Sequence, residues 1–169
     1  MKFNWDNIEL IVSDFDGVMT DNRVIVDEMG KEAVCVSRAD GQAIHMLNSM
    51  GIDFVIMSTE ANRVVKRRAE KLKVDCIQSV SDKAVCLKKY CCERNISLKN
   101  IVYIGNDIND FGAMKLAGIK IVPNDAYEEV KNIADYVTKV NGGYGVIREV
   151  AGVIMKSKGG GGCNGKAGN

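Results

Sequence analysis

The sequence predicts an α/β fold, a doubly wound, Rossmann-like parallel sheet with a β-hairpin inserted after the first strand. Two observations predict it. Short apolar, β-rich runs alternate along the chain with stretches whose apolar residues recur at helical spacing. One pair of β-rich runs, 23–27 and 33–37, breaks that alternation around Gly30. Strands alternating with helices make parallel sheets covered on both faces, because each crossover lays a helix on the sheet.

Taken in order, the first strand is expected over 9–13, followed by the hairpin and a helix over 41–50. A strand over 54–57 leads to helices over 61–72 and 83–93, then a strand over 101–104, a helix over 110–117 and a strand over 118–122. In the hairpin, Val24-Ile25-Val26 and Ala33-Val34-Cys35-Val36 are apolar on consecutive positions, so both of its faces want cover. Its own domain could supply that cover; contact with another subunit through residues 23–37 is the preferred expectation. From Lys156 the periodicity is lost in a glycine-rich run, which divides the chain into a domain over 1–155 and a flexible tail over 156–169.

Composition removes several function classes. The 169 residues carry 23 Lys+Arg against 22 Asp+Glu, a balance unsuited to neutralising a nucleic-acid backbone. A single histidine, His45, rules out zinc sites built from several histidines and leaves acid–base chemistry mainly to carboxylates. The 6 cysteines include no C-x-x-C pair and read as reduced, mostly buried small hydrophobes. Neither a secretion signal nor an apolar run of the ~20 residues that span a bilayer is visible, so a cytoplasmic protein without membrane partners is expected.

Chemistry gathers where the strands end. The first strand closes on Asp14-Phe15-Asp16-Gly17, and residues two apart on a strand face the same way, which brings two carboxylates together. Such a pair repels unless a cation or a shared proton relieves it, and hard oxygen donors suit Mg²⁺. Ser58 and Thr59 follow the strand over 54–57, and Lys83 opens a helix, where a cation is unfavourable unless an anion lies beside it. A second acidic cluster, Gly105-Asn106-Asp107-Ile108-Asn109-Asp110, follows the strand over 101–104. Each feature alone is an ordinary turn, cap or surface lysine.

In this order, Asp-x-Asp-Gly, a strand-end hydroxyl, a lysine and a glycine-led acidic cluster resemble the four motifs of the haloacid dehalogenase superfamily of phosphotransferases. The resemblance implies Asp14 as the nucleophile and Asp16 as the general acid and base, with Ser58 and Lys83 holding phosphoryl oxygens. It implies Mg²⁺ as cofactor, bound by Asp14, the backbone carbonyl of Asp16 and the last cluster. There Asn106 stands where many members have Asp; it is the expected ligand, with Asp107 the alternative and Asp110 behind it.

Asp14 and Ser58 are 44 positions apart, and Lys83 and Asn106 are 23 apart, which leaves no room for the large cap domain of many relatives. The hairpin, the basic run 66–72, the Gly-rich run 142–149 and the lack of a cap resemble the tetrameric 3-deoxy-octulosonate 8-phosphate phosphatases and their kin acting on sialic-acid-type nonulosonate 9-phosphates. A phosphorylated sugar acid is the substrate this implies, and a homotetramer the assembly. Glu60 after Ser58-Thr59 looks like the nine-carbon branch, and Arg68 and Lys71, one helical turn apart, are candidates to meet the substrate's carboxylate and hydroxyls. The alternative is a weakly active or non-catalytic oligomerisation domain associated with an acylneuraminate cytidylyltransferase. A phospho-acceptor receiver domain ranks last, because it needs its acceptor Asp where the chain has Ser58.

Overall fold

In the computed structural model, which describes residues 5–159, β1 (Leu10–Ser13) has all of its residues fully buried, as a central strand covered on both faces requires. The chain then makes the hairpin of β2 (Ile25–Val26) and β3 (Glu32–Ala33) and enters α1 (Arg38–Ser49), whose N-cap Ser37 accepts a hydrogen bond from Ala39 N–H. Next come β4 (Asp53–Met57), α2 (Arg63–Leu72), β5 (Asp75–Ile77), α3 (Lys83–Glu93) and β6 (Ile101–Ile104). They are followed by α4 (Ile108–Met114), β7 (Ile119–Val122), α5 (Glu128–Lys131), β8 (Tyr136–Val137) and α6 (Val146–Gly159).

The main sheet is parallel throughout, in the order β5-β4-β1-β6-β7-β8. Strand alternation splits the core in two. Ile11, Phe54, Ile56 and Val102 pack against α1, α2 and α6, while Leu10, Val12, Val55, Met57 and Tyr103 pack against α3, α4 and α5. From β1 the chain winds one way to β4 and β5, then returns to build β6, β7 and β8 on the other side. The direction reverses beside β1, and the carboxyl ends of β4, β1 and β6 therefore frame a crevice.

The hairpin is real but shorter than the apolar runs suggest. Its ladder pairs only Ile25 with Ala33 and Val26 with Glu32. Asp27 builds the turn, its Oδ1 accepting from Met29 N–H at 2.9 Å and Lys31 N–H at 2.8 Å. Val34 and Val36 pack partly against the domain's own core, whereas Val24, Ile25, Val26 and Met29 are 50%, 67%, 56% and 75% exposed.

Two expectations need correction. Helix α6 runs on through Gly159, past the boundary placed at residue 155, and the remainder of the expected tail lies outside the described residues. The five cysteines among the described residues are free, but only Cys91 is buried; Cys35 and Cys92 are exposed, and Cys163 lies outside the described residues. Among the described residues no helix is long and apolar enough to cross a membrane.

Candidate active site

Asp14 prolongs β1 by one residue, its N–H donating to the Ile104 carbonyl of β6 at 2.9 Å, and its Oδ1 accepts from Phe15 N–H at 2.7 Å. Gly17 then turns the chain with φ +79°, and a Cβ there would fall 2.0 Å from Asn106 Nδ2. Both the backbone and the close approach demand glycine. Ser58 follows β4, its N–H donating to the Ile77 carbonyl at 2.9 Å while its Oγ accepts from Glu60 N–H at 3.1 Å. Asn106 follows β6 and Asp107 caps α4, accepting from Ile108 N–H at 2.6 Å.

These strand ends converge. Asp14, Asp16, Ser58, Thr59, Glu60, Asn106 and Asp107 line one pocket of about 150 Å³ together with Asn22 and Asn109. Lys83, the first residue of α3, is buried behind them, its Nζ 2.8 Å from Asp14 Oδ2 and 2.7 Å from Asp110 Oδ1. An ammonium at a helix N-terminus opposes the helix dipole, and here two carboxylates offset that penalty. Both carboxylates also hold the Lys83 ammonium above its usual range, against the opposite pull of burial.

Asp110 faces inward as a hub. Its Oδ1 accepts from Lys83 and from the Tyr103 hydroxyl (3.0 Å), and its Oδ2 accepts from the N–H groups of Asn106 (2.9 Å) and Asp107 (3.4 Å). Four donors use up what a carboxylate can accept, so Asp110 orients Lys83 and the Asn106 backbone and does not line the pocket.

Two buried carboxylates sharing one ammonium leave a surplus negative charge. Burial, and then Asp110, push the Asp14 carboxyl up to about 8, against the pull of Lys83 and of the Phe15 N–H. Asp16, half-buried, is also held above its usual range, first by burial and then by Glu60. Among the described residues no three carboxylate, histidine or cysteine side chains form a metal cage, yet Asn106 Oδ1 is buried in the pocket without a hydrogen-bond partner. An orphaned amide oxygen beside a charge-surplus carboxylate fits a hard divalent cation. Of the two candidate ligands, Asp107 uses one carboxylate oxygen to cap α4, and Asn106 holds a buried oxygen without a partner.

The phosphate-sized pocket opens into a cleft of about 230 Å³ that shares Asp16, Asn22 and Glu60 with it and is walled by the hairpin and the start of α2. Its charged lining is Asp16, Glu32 and Glu60 with Arg23 as the cation. Arg68 and Lys71 are not brought to it. Arg68 donates to the Ser37 carbonyl at 2.8 Å and faces Asp40 beneath the hairpin's exit, and Lys71 is exposed near the far end of α2. A charge run on a surface helix does not show which member turns inward.

Thr20 and Tyr103 escaped the motif reading, and Gly142 entered it only as part of a Gly-rich run. Thr20 is fully buried beside Asp16, Tyr103 hydrogen-bonds Asp110, and Gly142 packs so closely on the Asp14–Thr20 loop that a Cβ would meet the Gly17 carbonyl oxygen at 2.1 Å. Tyr103 stood in an apolar run and signalled only core, whereas the local signal for Thr20 was its place in the turn after Gly17.

Comparison with known proteins gives the family. A family model described as haloacid dehalogenase-like hydrolase matches residues 74–150. The 3-deoxy-D-manno-octulosonate 8-phosphate phosphatase KdsC of Yersinia pestis is 31% identical over 150 residues, spanning 88% of this chain and 80% of that protein. A crystal structure of a putative HAD family hydrolase from Streptomyces avermitilis superposes with a TM-score of 0.88 at 39% identity, covering 92% of this chain and 89% of that one. The 3-deoxy-D-manno-octulosonate 8-phosphate phosphatase from Moraxella catarrhalis, solved with magnesium ion, phosphate ion and KDO, superposes with a TM-score of 0.87 at 31% identity over 90% of this chain and 88% of that one. With its Asp-x-Asp-Gly strand end, buried lysine and switch-point crevice, the chain belongs to the haloacid dehalogenase-like hydrolases, in the group of the 3-deoxy-D-manno-octulosonate 8-phosphate phosphatases.

Proposed function

We propose that this chain is a Mg²⁺-dependent phosphomonoesterase that hydrolyses a phosphorylated acidic sugar, an octulosonate 8-phosphate or a sialic-acid-type nonulosonate 9-phosphate, through an aspartyl-phosphate on Asp14. The observation that carries the reading is the Lys83 ammonium 2.8 Å from Asp14, behind a pocket lined by Asp14, Asp16, Ser58 and Asn106. A carboxylate oxygen of Asp14 attacks phosphorus and the bond from phosphorus to the sugar oxygen breaks. Asp16 gives its proton to the departing oxygen. In the second half Asp16 takes a proton from water, the water oxygen attacks phosphorus, and inorganic phosphate leaves as Asp14 is regenerated. Ser58 and Lys83 hold the phosphoryl oxygens as their charge redistributes.

Asp14, the Asp16 carbonyl and Asn106 Oδ1 would hold Mg²⁺, which supplies positive charge to the phosphoryl group. Glu32, Glu60 and the amides around them suit the hydroxyls of a sugar lying in the adjoining cleft. The exposed apolar tip of the hairpin supports assembly as a homotetramer through residues 23–37. Lys71 does not line the cleft of its own chain, so any contact it makes with substrate comes through a neighbouring copy.

The test is phosphate release with Mg²⁺ across sugar-acid phosphates, wild type against Asp14→Asn. Turnover by the wild type and its loss in the variant are expected; absence of turnover on every phosphomonoester would overturn the reading.

A further inference from the structure

We propose that Thr20 is a positioning residue that sets the orientation of the Asp16 carboxyl for cleavage of the substrate's ester bond. The proposal rests on the reading of Asp16 as general acid given above and adds the residue that aims it.

The Thr20 hydroxyl is fully buried and has three neighbours. Its Oγ1 accepts from Gly17 N–H at 3.2 Å and from Asn22 N–H at 3.2 Å. Those two donors occupy the lone pairs of the oxygen, which leaves the hydroxyl proton as its remaining hydrogen-bonding resource. That proton points to Asp16 Oδ1 at 3.4 Å. The contact is long, as hydrogen bonds around reacting groups commonly are before substrate tightens them. With Oδ1 engaged by Thr20, Oδ2 is the oxygen left to face the ester.

The scaffold behind Thr20 is stiff. Gly143 N–H donates to the Val18 carbonyl at 3.0 Å, and the Gly142 and Gly143 backbone lies against Gly17, Thr20 and Asp21, so closely that a Cβ on either would collide with them. The loop bearing Thr20 is thus held from outside while its hydroxyl reaches inside to Asp16. Thr20 does not line the pocket, so it acts on the reaction through Asp16 and the loop that carries it.

Leaving-group dependence separates aiming from mere support. A primary alkyl ester needs its oxygen protonated as it departs, whereas p-nitrophenolate leaves unaided, and positioned proton transfer typically contributes ~10²- to 10⁴-fold. Single-turnover cleavage with enzyme in excess reads ester cleavage apart from the second half of the reaction. The probes are 3-deoxy-D-manno-octulosonate 8-phosphate and p-nitrophenyl phosphate.

Thr20→Val is expected to slow the alkyl ester by roughly tenfold or more and the aryl ester by less than about threefold, with Thr20→Ser restoring both to within about threefold of wild type. Equal slowing of both esters, or none, would overturn the proposal. Asp16→Asn is run alongside. If it discriminates between the esters and Thr20→Val does not, the Thr20 proposal alone fails; if Asp16→Asn does not discriminate, the acid role of Asp16 fails and Thr20 with it. Should Thr20→Val not fold, Thr20→Cys, whose thiol donates weakly at similar volume, carries the same comparison.

Discussion

The Lys83 ammonium lies 2.8 Å from Asp14 Oδ2 with both side chains almost wholly buried, and Asp110 holds the other side of the same ammonium at 2.7 Å. One cation thus tethers the end of β1 to the start of α4. Replacing it by Lys83→Met leaves two buried carboxylates without their partner. Breaking a buried pair from one side typically costs ~3–5 kcal/mol, so a denaturant melt should show a loss of that order, with activity down by at least ~10²-fold. Unchanged stability would mean that the three groups are not coupled as described.

Asn106 Oδ1 is buried in the pocket with no hydrogen-bond partner. If it is a metal ligand, Asn106→Asp adds a charge to the donor set and should lower the Mg²⁺ concentration giving half-maximal activity, while Asn106→Ala should raise it. A Mg²⁺ titration of activity distinguishes the two. The same midpoint in both variants would place the ligand elsewhere.

Much of this was legible from residue order. The strands β1, β4 and β6 each hold three or four consecutive apolar residues, as a sheet covered on both faces requires, and polar residues that follow them line the pocket. Other elements were not. β5 and β8 are too short for alternation to show, and α6 starts behind the glycine-rich run at 142–145. The inward turn of Asp110 was in principle readable, because Asp107-x-x-Asp110 has capping-box spacing and such a residue points back to the helix start. Arg68 was not readable, since its partners Ser37 and Asp40 lie across the fold from α2.

Asp40 is fully buried where α1 meets α6, its Oδ1 accepting from Arg148 N–H at 3.0 Å and its Oδ2 unpaired. Burial pushes this carboxyl up to about 6 from 3.8, outweighing the N–H groups of Arg148 and Ile147 and the nearby Arg68 that pull it down. A raised carboxyl pKa means that the folded state favours the protonated form. The stability associated with it is full below about pH 4, is lost as pH rises from there through about 6, and is flat above. Melts of Asp40→Asn and wild type at pH 4 and pH 7 should therefore differ in favour of the variant at the higher pH, by on the order of 1–3 kcal/mol. A difference independent of pH would contradict this.

Val24, Ile25 and Val26 expose at least half of their surface on a two-stranded ribbon that cannot bury them by itself. Sedimentation at micromolar concentration should give a tetramer for the wild type and smaller species for the double variant Ile25→Asp/Val26→Lys. A wild-type monomer would refute assembly through the hairpin.

The nucleophilic role of Asp14 is tested most directly by acid-quenching a single turnover with substrate labelled in its phosphoryl group and measuring label on the protein. Wild type should carry acid-stable, hydroxylamine-sensitive label transiently; Asp16→Asn, unable to activate water, should retain label on any ester whose leaving group departs unaided, and Asp14→Asn should carry none. Turnover by Asp14→Asn, or label persisting in it, would contradict an aspartyl-phosphate at Asp14.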